Sequence, residues 1–231
     1  MSLRVLIKKI PVLGGIAGWI YRSIAGSSSV TPTFPGSGSY WEGRYASGGN
    51  SGVGSYDKFA EFKAEIINSF VRKQQIQSVV EFGSGDGNQL ELAQYPSYIG
   101  VDVSTTAIAA CRSRFKADTT KSFALTENFG SQKADLSLSL DVIYHLVEDD
   151  VFNQYMRQLF TAAVRFVIIY SSNTDENDVS QATHVRHRRF TTWIDKHLPE
   201  WKLLEHIPNK YPYTGDYKSG SFADFFIYCK A

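Results

Sequence analysis

Cysteine is almost missing from this chain: two in 231 residues, Cys111 and Cys229. No disulfide framework and no paired zinc-ligand spacing can be built from them, so no metal is expected. Both lie in regular-looking stretches, where buried thiols in a reducing, cytoplasmic compartment are the expectation. Net charge is missing as well, with 24 Lys and Arg against 23 Asp and Glu. That balance argues against nucleic acid as a partner, which calls for a markedly basic domain. An unbroken membrane span is also lacking, because the apolar stretch Ile10 to Tyr21 is interrupted by Pro11, Gly14, Gly15 and Gly18. The same stretch has no leucine-rich core of the kind a secretory leader needs, although Ser23-Ile24-Ala25 has cleavage-site character. No internal repeat is visible.

With 43% hydrophobic and 20% charged residues, the chain has the make-up and the length for one large core. Residues 1–30 place Arg4, Lys8 and Lys9 before the broken apolar stretch, with Trp19 and Tyr21 in or at the end of it. A peripheral contact with a membrane surface or a partner protein is expected there, and a tail packed on its own domain is the alternative. Residues 31–55 are rich in Gly and Ser but carry Phe34, Tyr40, Trp41 and Tyr45. So many rings in a flexible composition predict a lid loop that folds over something. The main domain is expected over 56–231.

Its organising feature is Val79-Val80-Glu81-Phe82-Gly83-Ser84-Gly85-Asp86-Gly87-Asn88. A β-branched run leads into alternating glycines, and an amphipathic stretch leaves them. This is a strand–turn–helix junction where bare backbone lets a nucleotide-like ligand approach. Tyr98 to Val103 reads as a second buried strand, with Asp102 about 20 residues past the first glycine, where a ribose hydroxyl would be held. Before the loop, apolar spacing over Tyr56 to Arg72 predicts an amphipathic helix. After it, the pattern predicts helices over Asn88–Tyr95, from an N-cap at Ser104 to about Phe115, and over Val151–Val164 and Phe190–His197. Strands are predicted at Ser78–Phe82, Tyr98–Val103, Ser122–Thr126, Ala134–Val142, Arg165–Tyr170, Trp201–Ile207 and Phe222–Cys229. Alternating strands and helices imply a parallel sheet covered on both faces.

The glycine spacing narrows the ligand. Asn88 stands where a dinucleotide fingerprint needs Gly or Ala, which disfavours an oxidoreductase, and no Gly-Lys-Ser/Thr of a phosphate loop follows. Glu81 followed by Gly83-x-Gly85-x-Gly87, with Asp102 in register, resembles motif I and the ribose-binding acid of class I S-adenosylmethionine-dependent methyltransferases. The resemblance covers Tyr56 to Ala231. It implies a doubly wound α/β fold with a seven-stranded, mostly parallel sheet whose last strand is antiparallel, and S-adenosylmethionine as cofactor. It also implies cofactor contacts at Glu81, Gly83, Ser84, Gly85, Asp86, Asp102, Val103, Asn128, Phe129, Asp141 and Val142. The wider pattern Tyr40-Trp41-Glu42-Gly43-Arg44-Tyr45, with Phe62-Lys63-Ala64 and Asp141 to His145, is similar to methyltransferases associated with bacterial surface-glycan assembly. That similarity implies O-methylation of a sugar, nucleotide-sugar or glycan acceptor.

An alcohol must lose its proton before accepting a methyl group, and a neutral imidazole suits that task. His145, His184 and His187 are the candidate bases, with Asp141 beside them, and each histidine equally fits a packing role. Tyr40, Trp41 and Tyr144 offer rings to an acceptor, since the C–H faces of sugars are apolar. Arg186 and Arg188 would clamp an anionic group, or else form a solvated basic run. The alternative functions are a small-molecule or protein N-methyltransferase and a non-catalytic nucleoside-binding scaffold of the same fold. Against the first, the Asn-Pro-Pro-Tyr type motif of amino-nitrogen enzymes is absent at Asp141-Val142-Ile143-Tyr144.

Overall fold

The computed structural model describes residues 34–178 and 181–231. The expected N-terminal docking segment therefore lies outside the described residues. Pro35–Ala231 forms one compact unit. Among the described residues no helix is long and apolar enough to cross a membrane.

In chain order the helices and strands are α1 (Ser37–Ala46), α2 (Asp57–Lys73), β1 (Val79–Phe82), β2 (Tyr98–Asp102), α3 (Thr105–Arg114), β3 (Lys121–Leu125), β4 (Ala134–Leu140), α4 (Asp149–Thr161), β5 (Ala163–Ser171), α5 (Phe190–His197), β6 (Trp201–Ile207) and β7 (Asp224–Lys230). The strands form one seven-stranded sheet in the order β3-β2-β1-β4-β5-β7-β6. Neighbours from β3 through β5 are parallel, whereas β7 runs antiparallel to both β5 and β6. The expected doubly wound sheet with an antiparallel last strand is the observed one.

Every residue of β1 is buried, as a central parallel strand covered on both faces requires. Successive residues feed opposite cores. Val80 and Phe82 join Phe152, Met156 and Phe160 of α4 and Phe190 and Ile194 of α5 on one face. Val79, Leu136 and Leu138 join Phe62, Ile67 and Phe70 of α2 and Ile108 and Cys111 of α3 on the other. Ser104 is the predicted N-cap, its Oγ accepting from the Ala107 amide at 3.0 Å.

Two elements differ from expectation. The helix predicted over Asn88–Tyr95 is a single 3₁₀ turn, Gln89–Leu92. Its Gln89 side chain is clipped to the Ala60 carbonyl of α2, and Pro96 follows too closely for a longer helix. Conversely, the expected lid loop contains a helix, α1, anchored by tertiary bonds at both ends. Ser37 donates from its amide and hydroxyl to the Glu148 carboxylate. Glu42 accepts from the hydroxyls of Ser104 and Thr106 at the start of α3, each at 2.6 Å.

Strand order reverses between β1 and β4, the place where an open α/β sheet leaves a crevice at its carboxyl edge. The loops after β1, β2 and β4 converge there, and α1 closes it from above.

Candidate active site

The floor of this crevice is the loop after β1. Gly85 adopts φ +57°, and a Cβ on it would fall 2.3 Å from Ser51 Oγ and 3.0 Å from the Tyr45 hydroxyl. Gly83, at φ +85°, would meet Val142 at 2.4 Å. Bare backbone is therefore obligatory at both positions. Asp102, at the end of β2, accepts from the amides of Gly85 and Ser104, both at 2.9 Å. Burial raises its carboxyl above the ordinary range while those amides oppose the shift. Each oxygen keeps a lone pair for a ligand hydroxyl.

Glu81 lies fully buried beneath the loop and accepts from the Tyr98 hydroxyl at 2.7 Å. Desolvation pushes its carboxyl up to about 7, against the opposing pull of Tyr98 and Lys63. Asp86 is partly desolvated, yet the amides of Asn88 and Ser51 and the Tyr56 hydroxyl together hold it below the usual range. These same bonds tie the segment after α1 onto the glycine loop.

Asp141 follows β4 in a left-handed conformation, φ +60°, uncommon for a residue with a side chain. One oxygen accepts from Lys63 Nζ at 2.6 Å and the other from the Tyr144 hydroxyl at 2.8 Å. Lys63, on α2, has no solvent exposure at all. Gly54 is tight against the pair, since a Cβ there would approach Asp141 Oδ2 to 2.8 Å.

The three histidines separate. His145 lines the crevice, and its Nδ1 lies 2.9 Å from the His184 carbonyl. A carbonyl only accepts, so Nδ1 carries the proton and Nε2 keeps its lone pair. Burial drives His145 down to about 4, so the ring is neutral at physiological pH. His184 stacks on it at 5.3 Å, and Tyr40 stacks on His184 at 4.4 Å. Trp41 meets His145 edge-on at 4.9 Å. His187 instead lies in a neighbouring cavity, 2.6 Å from Ser172 Oγ. Tyr144 stands between the two spaces, its ring 4.5 Å from His145 and 6.2 Å from His187.

Glu81, Gly83, Ser84, Gly85, Asp86, Asp102, Val103, Asp141 and Val142 all line the crevice, together with Trp41 and His145. Three sets of expected site residues need correction. Phe129 is not at the crevice but in the core, 5.2 Å from Phe82, because its ring fills the space under β1. Asn128 is exposed and outside the lining. Arg186 and Arg188 do not form an anion clamp. Their guanidinium groups donate to the carbonyls of Leu146 and Val147 and pair with Asp149. Arg188 also covers the Phe152 ring. Sequence pattern assigned no site role to Lys63, Gln89, Ser51 or Tyr45, which reach the crevice from elements distant in the chain.

Residues 80–168 match the model of a methyltransferase domain. The chain carries a methyltransferase domain with the class I S-adenosylmethionine-dependent fold. Solved structures show the same fold in other methyltransferases. The N-methyltransferase NodS from Bradyrhizobium japonicum WM9, in complex with S-adenosyl-L-homocysteine, is 15% identical at TM-score 0.64, over 84% of this chain and 98% of that one. Magnesium protoporphyrin IX methyltransferase from Synechocystis PCC 6803, with bound S-adenosylmethionine, is 12% identical at TM-score 0.60, over 86% and 99%. The methyltransferase domain of bacterial CtHen1-C is 18% identical at TM-score 0.56, over 73% and 96%. Comparison with curated protein sequences returned no match.

The residues of this methyltransferase fit its cofactor. Side-chain-free backbone lies at the first β-to-α bend, a carboxylate with free lone pairs stands one strand over, and the buried Ser84 Oγ and Gln89 Oε1 have no hydrogen-bond partner. When bound, the cofactor supplies a methyl group already activated by the sulfonium. The protein is left to exclude water, hold the acceptor in line and take its proton. Trp41 and Tyr45 of α1 cover the crevice for the first task.

Proposed function

We propose that the methyl acceptor is a hydroxyl group of a sugar or glycan-like molecule, and that His145 is the general base. One observation carries this reading: a neutral imidazole lines the crevice with Nδ1–H held by the His184 carbonyl and its Nε2 lone pair unengaged. A base of that kind suits an alcohol, whose proton must leave as the new O–C bond forms. His184 fixes the tautomer, and Asp141, already paired with Lys63 and Tyr144, serves to position rather than to accept a proton.

The neighbouring cavity supports a neutral acceptor. Among the described residues it is lined by His187, Asn173, Thr174, Glu176, His206 and Asp224, with Tyr213 and Phe222 as ring surfaces and no lysine or arginine. Hydroxyl-rich rings suit that mixture of acceptors and aromatic faces, whereas a phosphate finds no cation there. The acceptor reading therefore favours a sugar or glycan over a nucleotide-sugar. We place the enzyme in the cytosol, in keeping with the free thiols Cys111 and Cys229.

The test is a transfer assay with labelled S-adenosylmethionine and a panel of free sugars, glycans, primary amines and RNA oligonucleotides. Methyl ethers on a sugar are expected, with turnover falling about 10²- to 10⁴-fold in His145→Asn at unchanged S-adenosylhomocysteine affinity. Preferred labelling of amines or RNA, or full turnover in the variant, overturns the reading.

A further inference from the structure

The crevice extends past the glycine loop to the face of α2, where its polar lining does not match what Asp102 and the loop backbone need. Gln89 is 9% exposed, and its Nε2 donates to the Ala60 carbonyl at 3.0 Å. That bond assigns the amide, because a carbonyl must face the NH₂ group. Gln89 Oε1 is then left buried at the crevice with no donor. One turn along α2 from Ala60 stands Lys63, whose ammonium has three donors, of which Asp141 Oδ2 takes one. Among the described residues Lys63 is the one lysine or arginine lining the crevice, against the carboxylates of Glu81, Asp86, Asp102 and Asp141. A spare buried acceptor beside a buried cation with spare donors is the complement of a zwitterion.

We propose that Lys63 and Gln89 bind the amino-acid end of S-adenosylmethionine, Lys63 taking its carboxylate and Gln89 Oε1 its ammonium. The chain thereby selects the full cofactor over nucleoside thioethers that lack this end. Asp141 is already paired with the Lys63 ammonium and accepts from the Tyr144 hydroxyl on its other oxygen. Gln89 inherits the ammonium because it is the neighbouring acceptor without a donor. This assignment does not depend on the identity of the methyl acceptor.

Titration calorimetry with two ligands tests it. S-adenosylhomocysteine carries the amino-acid end, and 5′-methylthioadenosine keeps the nucleoside and thioether but lacks it. Lys63→Met and Gln89→Leu are each expected to weaken S-adenosylhomocysteine about 10- to 100-fold, the range of one hydrogen bond to a charged group. Binding of 5′-methylthioadenosine is expected to stay within about twofold, which also shows that the site is folded. Equal losses for both ligands in Gln89→Leu, or no loss for S-adenosylhomocysteine, overturn the proposal. Because Lys63→Met strands the buried Asp141, Gln89→Leu decides the outcome if that variant does not fold.

Discussion

Acid should destabilise this protein through one imidazole, and the size of the effect follows from its burial. His145 falls from the ordinary 6.5 to about 4 because desolvation penalises its cationic form. Unfolding releases the ring to its ordinary value, so between pH 4 and 6.5 the unfolded chain binds a proton that the folded chain does not. Stability therefore rises with pH across this window. The contribution is complete above 6.5 and is lost as pH falls toward 4. The gap between 6.5 and about 4 corresponds to about 3 kcal/mol, of which about 2 kcal/mol is already gone at pH 5. Urea unfolding of the wild type and His145→Asn at pH 7.5 and pH 5 isolates this share, since other titrating groups are common to both. Asparagine can donate its amide to the His184 carbonyl but does not titrate. The wild type should lose about 2 kcal/mol more than the variant over that interval. The same neutral ring predicts an acid limb in turnover near pH 4 rather than near 6.5. Parallel stability losses in the two proteins, or an acid limb near 6.5, would refute the neutral, buried imidazole and with it the base assignment.

Asp102→Ala should weaken S-adenosylhomocysteine about 10- to 100-fold by calorimetry, and unchanged affinity would remove the ribose from this carboxylate. Arg188→Met should cost about 1–3 kcal/mol in urea unfolding, because the Leu146 carbonyl loses its guanidinium donor and Val147 keeps only Arg186, while cofactor affinity stays the same. An effect of Arg188→Met on acceptor KM with no change in stability would instead restore an anion-binding role.

What was legible in the sequence was local. The β-branched run into Gly83, the register of Asp102 and the Ser104 cap each depend on neighbours within a few residues, and each is found where the pattern places it. The seven strands were legible for the same reason, since period and burial are written along each segment. Helix α1 was not. Its sequence, SGSYWEGRYA, is poor in strong helix formers. It is held by Glu42 to Ser104 and by Ser37 to Glu148, bonds that span 62 and 111 residues. Lys63 was hidden in the same way, as one polar position on an amphipathic helix until Asp141, 78 residues on, explains its burial. The arginines misled because a basic run looks alike whether it meets a ligand or the chain's own carbonyls. Only the fold brings Leu146 and Val147 to them.

The charge arrangement of the crevice ties these late-found residues to the chemistry. Among the described residues, Glu81, Asp86, Asp102 and Asp141 line it against Lys63 alone. Were all four ionised and none paired, the site would repel the carboxylate of an amino acid as strongly as it attracted a sulfonium. Lys63 cancels Asp141 at 2.6 Å, and desolvation holds Glu81 near the midpoint of its titration at neutral pH. Backbone amides and hydroxyls take up the charge of Asp86 and Asp102. A buried lysine on α2 is thus what lets an acid-rich crevice present a cation to the zwitterionic tail proposed for it.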